Sequence, residues 1–201
     1  AIGTVCDVVS LASVENRAIV SIGLDELRKP MISHSVGLQA LMSISGIEEG
    51  WMTATDIGYQ LGPRINAAGR LHVATDVIEL FQSRSVASAR LKAHEIDQFN
   101  LERRAIESKL VDETMAVLPD EKPDFIVVSG QESEGWHRGV VGIVAARIRD
   151  KTHRPTAVLA INGDQVRGSV RSTAQIHAVS ALDSVSSYLS TYGGHAAAAG
   201  F

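Results

Sequence analysis

From Val86 to Leu118 the chain runs 33 residues without a glycine or a proline, "VASARLKAHEIDQFNLERRAIESKLVDETMAVL". Ile96, Phe99, Ile106, Leu110 and Met115 recur at combinations of three and four residues, with charges between them. That spacing predicts one long amphipathic helix. The segment "PDEKPD" stops it, because Pro119 and Pro123 cannot continue helical hydrogen bonding. A helix this long before a proline-containing hinge is expected to connect two domains. The chain then divides into residues 1–85, a connecting helix and hinge over 86–121, and a second domain over 122–201.

Beyond the hinge the pattern alternates. "FIVVSG" (125–130) reads as a buried strand and "GVVGIVAARIRD" (139–150) as a helix. "TAVLAI" (156–161) and "DQVRGSVRS" (164–172) read as strands, and "HAVSALDSVSSYLSTY" (177–192) as a helix. Strand, helix, strand, strand, helix describes a small α/β domain. Before Val86, "IGTVCDVVSL" reads as a strand leaving a core, with helices following through Phe81.

The net charge of −4 argues against wholesale polyanion binding, but it hides an asymmetry. Residues 1–121 hold 11 Lys/Arg against 17 Asp/Glu, whereas residues 122–201 hold 8 against 6. The mildly basic second half permits a local phosphate site. Cys6 is the single cysteine, so an internal disulfide is excluded and a reducing cytoplasm is the expected compartment. No apolar run approaches the roughly 20 residues of a membrane span. Lacking an initiator Met and beginning as though inside a domain, the chain reads as a fragment.

Five stretches carry residue types suited to chemistry. In "EGWHRGVVGIVAARI", Gly135 and Gly139 bracket Trp136, His137 and Arg138 just before a helix, whose N-terminus suits a phosphate. A surface turn with Trp136 covering the core is the alternative. In "RGSVRS", glycine permits close backbone approach while Ser169 and Arg171 offer phosphate ligands, against a solvated strand end. In "GGHAAAAGF", Gly193 and Gly194 allow a left-handed turn before His195, which is otherwise a plain turn residue. "LGPRINAAGRL" places Arg64 and Arg70 around Asn66 in what reads as a rigid polar loop, or as a salt-bridged interdomain corner. Asp7, inside an apolar run, is costly unless paired, metal-bound or at an exposed strand edge.

Together and in this order the five stretches resemble the DHH phosphoesterase superfamily, most closely its RecJ-type single-strand-specific 5′ to 3′ DNA exonucleases. "GTVCDVVSL" looks like the fourth metal-site motif and "GPRINAAGRL" like the arginine-bearing interdomain motif. "GWHRGVVGIVAARI", "GSVRS" and "GGHAAAAGF" look like the three motifs of the DHH-associated domain. The resemblance implies an α/β fold comprising the end of a DHH domain, a connecting helix and a DHH-associated domain. It implies that Arg64, Asn66 and Arg70 hold phosphates or stabilise charge at the scissile bond. Ser169 and Arg171 are then candidates for a 5′-terminal phosphate pocket. Trp136, His137, Gly193, Gly194 and His195 would line the cleft, with His195 and Arg70 catalytic. It further implies a two-metal Mn²⁺ or Mg²⁺ site to which this chain gives only Asp7, since no Asp-His-His occurs in it. The chain alone is therefore expected to be inactive. The implied partners are single-stranded DNA and, as candidates, a single-strand-binding protein or helicase; the implied state is a monomer in DNA repair and recombination. Two alternatives stay open: a DHH phosphodiesterase for short oligonucleotides or cyclic dinucleotides, and an inactive DHH scaffold.

Overall fold

The computed structural model describes residues 1–201, which form two compact units, Ala1–Glu102 and Arg103–Phe201. The first unit is helical throughout: α1 (Ile2–Cys6), α2 (Val14–Leu27), α3 (Val36–Ile44), α4 (Ala54–Asp56), α5 (Gly62–Leu71), α6 (Thr75–Gln82) and the first part of α7 (Val86–Val117). Several helix starts are encoded locally. Ser13 Oγ accepts from the Asn16 N–H, Ser35 Oγ accepts from the Leu38 N–H, and Thr53 with Asp56 forms a reciprocal capping box. The core gathers Leu41, Met52, Ile57, Leu61 and Leu80, joined by Ala89, Ala93 and Ile96 of α7.

The expected long helix is present as α7, 32 residues long. Ile96 and Leu110 of the predicted stripe are buried. The residues of α7 through Glu102 belong to the first unit and those from Arg103 to the second.

In the second unit β1 (Ile126–Gln131) and β2 (Thr156–Asn162) pair in parallel across α8 (Val141–Thr152). β2 returns through the two-residue loop Gly163-Asp164 into β3 (Gln165–Arg171), with which it pairs antiparallel. After α9 (Ala178–Asp183) come two short strands, β4 (Gly193–Gly194) and β5 (Ala198–Gly200), and the sheet order is β1-β2-β3-β5-β4. Alternation sends successive side chains to opposite faces. One face packs on α8, whose Val141, Val144, Ala145 and Ile148 are buried. On the other, Ala157, Val170 and Ala199 meet Ala178 and Leu182 of α9, with Phe125, Leu189 and Phe201 around them. Covered on both faces, the sheet gives the small α/β domain that the alternating pattern predicts.

Four local expectations are corrected. The first residues form helix α1, not a strand, because Ile2, Val5 and Cys6 recur at three and four and together pack on the core. "GPRINAAGRL" is helix α5 rather than a loop: Pro63 sits in the first turn, where its missing N–H is harmless, and Ala67 and Ala68 are wholly buried. α9 covers only six residues of the helix expected to Tyr192, since the following serines compete for backbone hydrogen bonds. Here Ser184 Oγ donates to Ala181 O, and Tyr188 is exposed. β1 is an edge strand with Val127 exposed, not a fully buried one.

Candidate nucleic-acid interface

In the second unit, the end of β3 and the first turn of α8 form one cluster. Arg171 Nη1 donates to Ser169 Oγ at 2.6 Å and to Val170 O at 2.8 Å. Ser169 and Arg171 lie two apart on β3 and share the face that packs on α8. Gly142, second residue of α8, lies against them: a methyl group there would be 2.9 Å from Arg171 Nη2 and 3.1 Å from Ser169 Oγ. A guanidinium thus sits beside the positive end of a 12-residue helix. The two positive potentials add at one point, which favours a bound anion.

His137 opens this helix: its carbonyl accepts from the N–H groups of Val140 and Val141. Its Nδ1 accepts from the Gly139 N–H at 3.0 Å, so the neutral ring carries its proton on Nε2 and offers a donor there. Trp136 is half-buried and packs on Gly130 of β1, where a methyl group would come within 2.2 Å of the ring. The Trp136 ring therefore covers Gly130 of the edge strand β1.

The terminal motif is a hairpin inserted into the same sheet. Gly193 and Gly194 pair with Gly200 and Ala199, and β5 pairs with β3 so that Arg171 faces Ala198. The His195 N–H donates to Ala198 O at 2.8 Å, and the Ala198 N–H to His195 O at 3.3 Å. The register therefore continues from Arg171 through Ala198 to His195, two strands or about 10 Å away. Gly194 has φ +152°, and a methyl group there would lie 2.4 Å from Ala198 O. Only glycine closes this hairpin. The His195 side chain is exposed.

In the first unit Arg64 is anchored. Its Nε donates to Asp97 Oδ1 of α7 at 2.8 Å and its Nη1 to Gln60 O at 2.9 Å, with both charged side chains largely buried. Gln60 belongs to a single π-helical turn, Ile57–Leu61. Pro63 follows this widened turn, and such turns recur at functional sites. His72, just past α5, stacks on Phe99 of α7 at 3.7 Å and approaches Glu102 at 3.6 Å. Both ends of the arginine segment are thus pinned to α7. Asn66 and Arg70 are exposed on α5. The sequence reading missed Asp97, which lies in an ordinary charged helix, and Gly142, whose glycine is visible but whose neighbour on β3 is not.

Asp7 follows α1 as its C-terminal cap and is exposed, so burial imposes no cost that a metal must offset. Burial, and then the Asp7 charge, pushes the neighbouring Cys6 thiol above its usual range. Nowhere in the chain do three or more His, Cys, Asp or Glu side chains converge as a metal site. These residues alone do not fit a two-metal centre. No helix is long and apolar enough to cross a membrane.

Residues 123–201 match the family described as the DHHA1 domain. The whole chain aligns with the "single-stranded-DNA-specific exonuclease RecJ" of Bacillus subtilis at 37% identity and of Escherichia coli at 34%, covering 25% and 36% of those proteins. It superposes along its full length on Thermus thermophilus RecJ in complex with Mn²⁺, with a TM-score of 0.85 and 36% identity over 28% of that structure. An exonuclease RecJ bound to manganese gives 0.80 and 34% over 48%. The chain is thus similar along its whole length to a part of RecJ, and residues 123–201 match the DHHA1 domain. The chain spans about a quarter to a third of the length of these curated relatives. Its DHHA1 domain contains the α8–β3 cluster and the His195 hairpin, and lies within the second compact unit.

Proposed function

We propose that this chain is the substrate-binding portion of a RecJ-like 5′ to 3′ single-stranded-DNA exonuclease acting in DNA repair and recombination. The observation that carries the reading is the Arg171–Ser169 pair held against Gly142 at the first turn of α8. Guanidinium, hydroxyl and helix end converge where the 5′-terminal phosphate would bind. A terminal phosphate carries more charge than an internal diester, so this cluster selects the strand end. His137 donates from Nε2, and His195 meets the strand from the hairpin two strands away. In the first unit, Asn66 and Arg70 contact phosphates from the exposed face of α5, while Arg64, paired with Asp97, holds α5 to α7.

Phosphodiester hydrolysis would be metal-dependent, with Mn²⁺ or Mg²⁺ held by residues beyond this chain and Asp7 as its one contribution. Thermus thermophilus RecJ has been solved in complex with each of these ions. The protein would work in the cytoplasm as a monomer, with single-strand-binding protein or a helicase as candidate partners. In the full-length protein, Arg171→Ala should lower the rate on 5′-phosphorylated DNA more than on 5′-hydroxyl DNA, narrowing the preference about tenfold or more, as expected for a lost charge-assisted contact. Arg70→Ala should depress both substrates together. Paired rate measurements on matched oligonucleotides check this, and an unchanged preference in folded Arg171→Ala would refute the terminal-phosphate assignment.

A further inference from the structure

Arg171 owes its position to a missing side chain as much as to its hydrogen bonds. A methyl group on Gly142 would lie 2.9 Å from Arg171 Nη2, 3.6 Å from Arg171 Cζ and 3.1 Å from Ser169 Oγ, and these are its three nearest neighbours. All three are side-chain atoms, two of them at the far end of a flexible arginine. The backbone of β3 is not among them. Gly142 has no positive φ, and its place within α8 is ordinary helix. Glycine in a helix otherwise costs stability relative to alanine, so local folding gives no reason for it here. Its effect is to leave room for the guanidinium beside the first turn of the helix while Nη1 stays on Ser169 Oγ and Val170 O.

We infer that Gly142 is a positioning residue that determines specificity for the 5′-terminal phosphate by keeping the guanidinium of Arg171 against the N-terminus of α8. The inference rests on the terminal-phosphate reading of Ser169 and Arg171. With alanine at this position the helix and strand keep their places and the guanidinium swings away. The site then loses the coincidence of arginine and helix end that favours a doubly charged phosphate.

The experiment compares the full-length protein with Gly142→Ala, Arg171→Ala and the double variant. Rates are measured on matched 5′-phosphorylated and 5′-hydroxyl oligonucleotides, and the melting midpoint of each variant is recorded. Gly142→Ala should melt close to the parent while its 5′-phosphate preference falls about tenfold, the change entering through KM for the phosphorylated substrate. The double variant should be no worse than Arg171→Ala, because both changes act through one guanidinium. Retained preference in Gly142→Ala beside a lost one in Arg171→Ala overturns the inference and leaves the proposed function standing. Equal losses on both substrates, additive losses in the double variant, or a collapse of the melting midpoint overturn it too, since each marks a backbone or general effect. Retained preference in Arg171→Ala defeats the terminal-phosphate reading itself, and the inference with it.

Discussion

Arg64 and Arg171 both stand in glycine-bearing motifs and both suit a phosphate, but the protein uses them differently. Arg64 is joined to a carboxylate, Asp97, across two helices, and to the carbonyl of a π-helical turn. Arg171 is held by a hydroxyl and a carbonyl on its own strand, beside a helix N-terminus. The first arrangement neutralises the charge and fixes two elements together. The second sets the guanidinium beside the first turn of α8. Identical side chains therefore join two helices in the helical unit and stand beside a helix N-terminus in the sheet unit, where the proposed anion would bind.

The largest effect should come from breaking the anchored pair. Asp97→Ala leaves a largely buried guanidinium without its carboxylate, which typically costs about 3–5 kcal/mol. Because the two side chains retain 15% and 17% exposure, the low end, about 3 kcal/mol, is expected in urea unfolding. Arg171→Ala, losing its hydrogen bonds to Ser169 Oγ and Val170 O, should cost less, about 1 kcal/mol. Equal losses in the two variants would erase the distinction.

A smaller effect isolates the sheet unit. Gly194→Ala forces a side chain into a backbone region reserved for glycine and against Ala198 O. It should cost about 2 kcal/mol by the same measurement and detach His195 from its register with Arg171. Should this variant keep full stability and an unchanged 5′-phosphate preference, the hairpin has no part in the site.

The smallest effect concerns the start of the chain. Removing the Asp7 charge favours the Cys6 thiolate, so Asp7→Asn should modestly speed alkylation of Cys6 at mildly alkaline pH. Burial, the larger cause, remains in place, so the thiol stays slow. No change in rate would show that the Asp7 charge does not reach the thiol.

What could be read along the chain was what repeats locally. The span of α7 followed from glycine and proline placement and a three–four apolar period. The α8, β2 and β3 segments followed from patterns short enough to lie within one element. The motif order and the membership of His137, Ser169, Arg171 and His195 in one domain were also readable before any coordinates.

Tertiary structure decided the rest. A helical period in α1 looked like a strand because the run was short and apolar. Glycine and proline in α5 looked like a loop because only packing reveals that Pro63 sits harmlessly in a first turn and that Ala67 and Ala68 face the core. The last nine residues gave no strand period, since small side chains carry little pattern, yet backbone pairing of β5 with β3 and of β4 with β5 makes two strands of them. Above all, contacts between residues distant in sequence separate the two arginines. Asp97 lies 33 residues from Arg64, and Gly142 reaches Arg171 only because α8 packs across the sheet. Local sequence determines which elements form; the long-range packing of those elements decides that Arg64 meets a carboxylate and Arg171 a helix N-terminus.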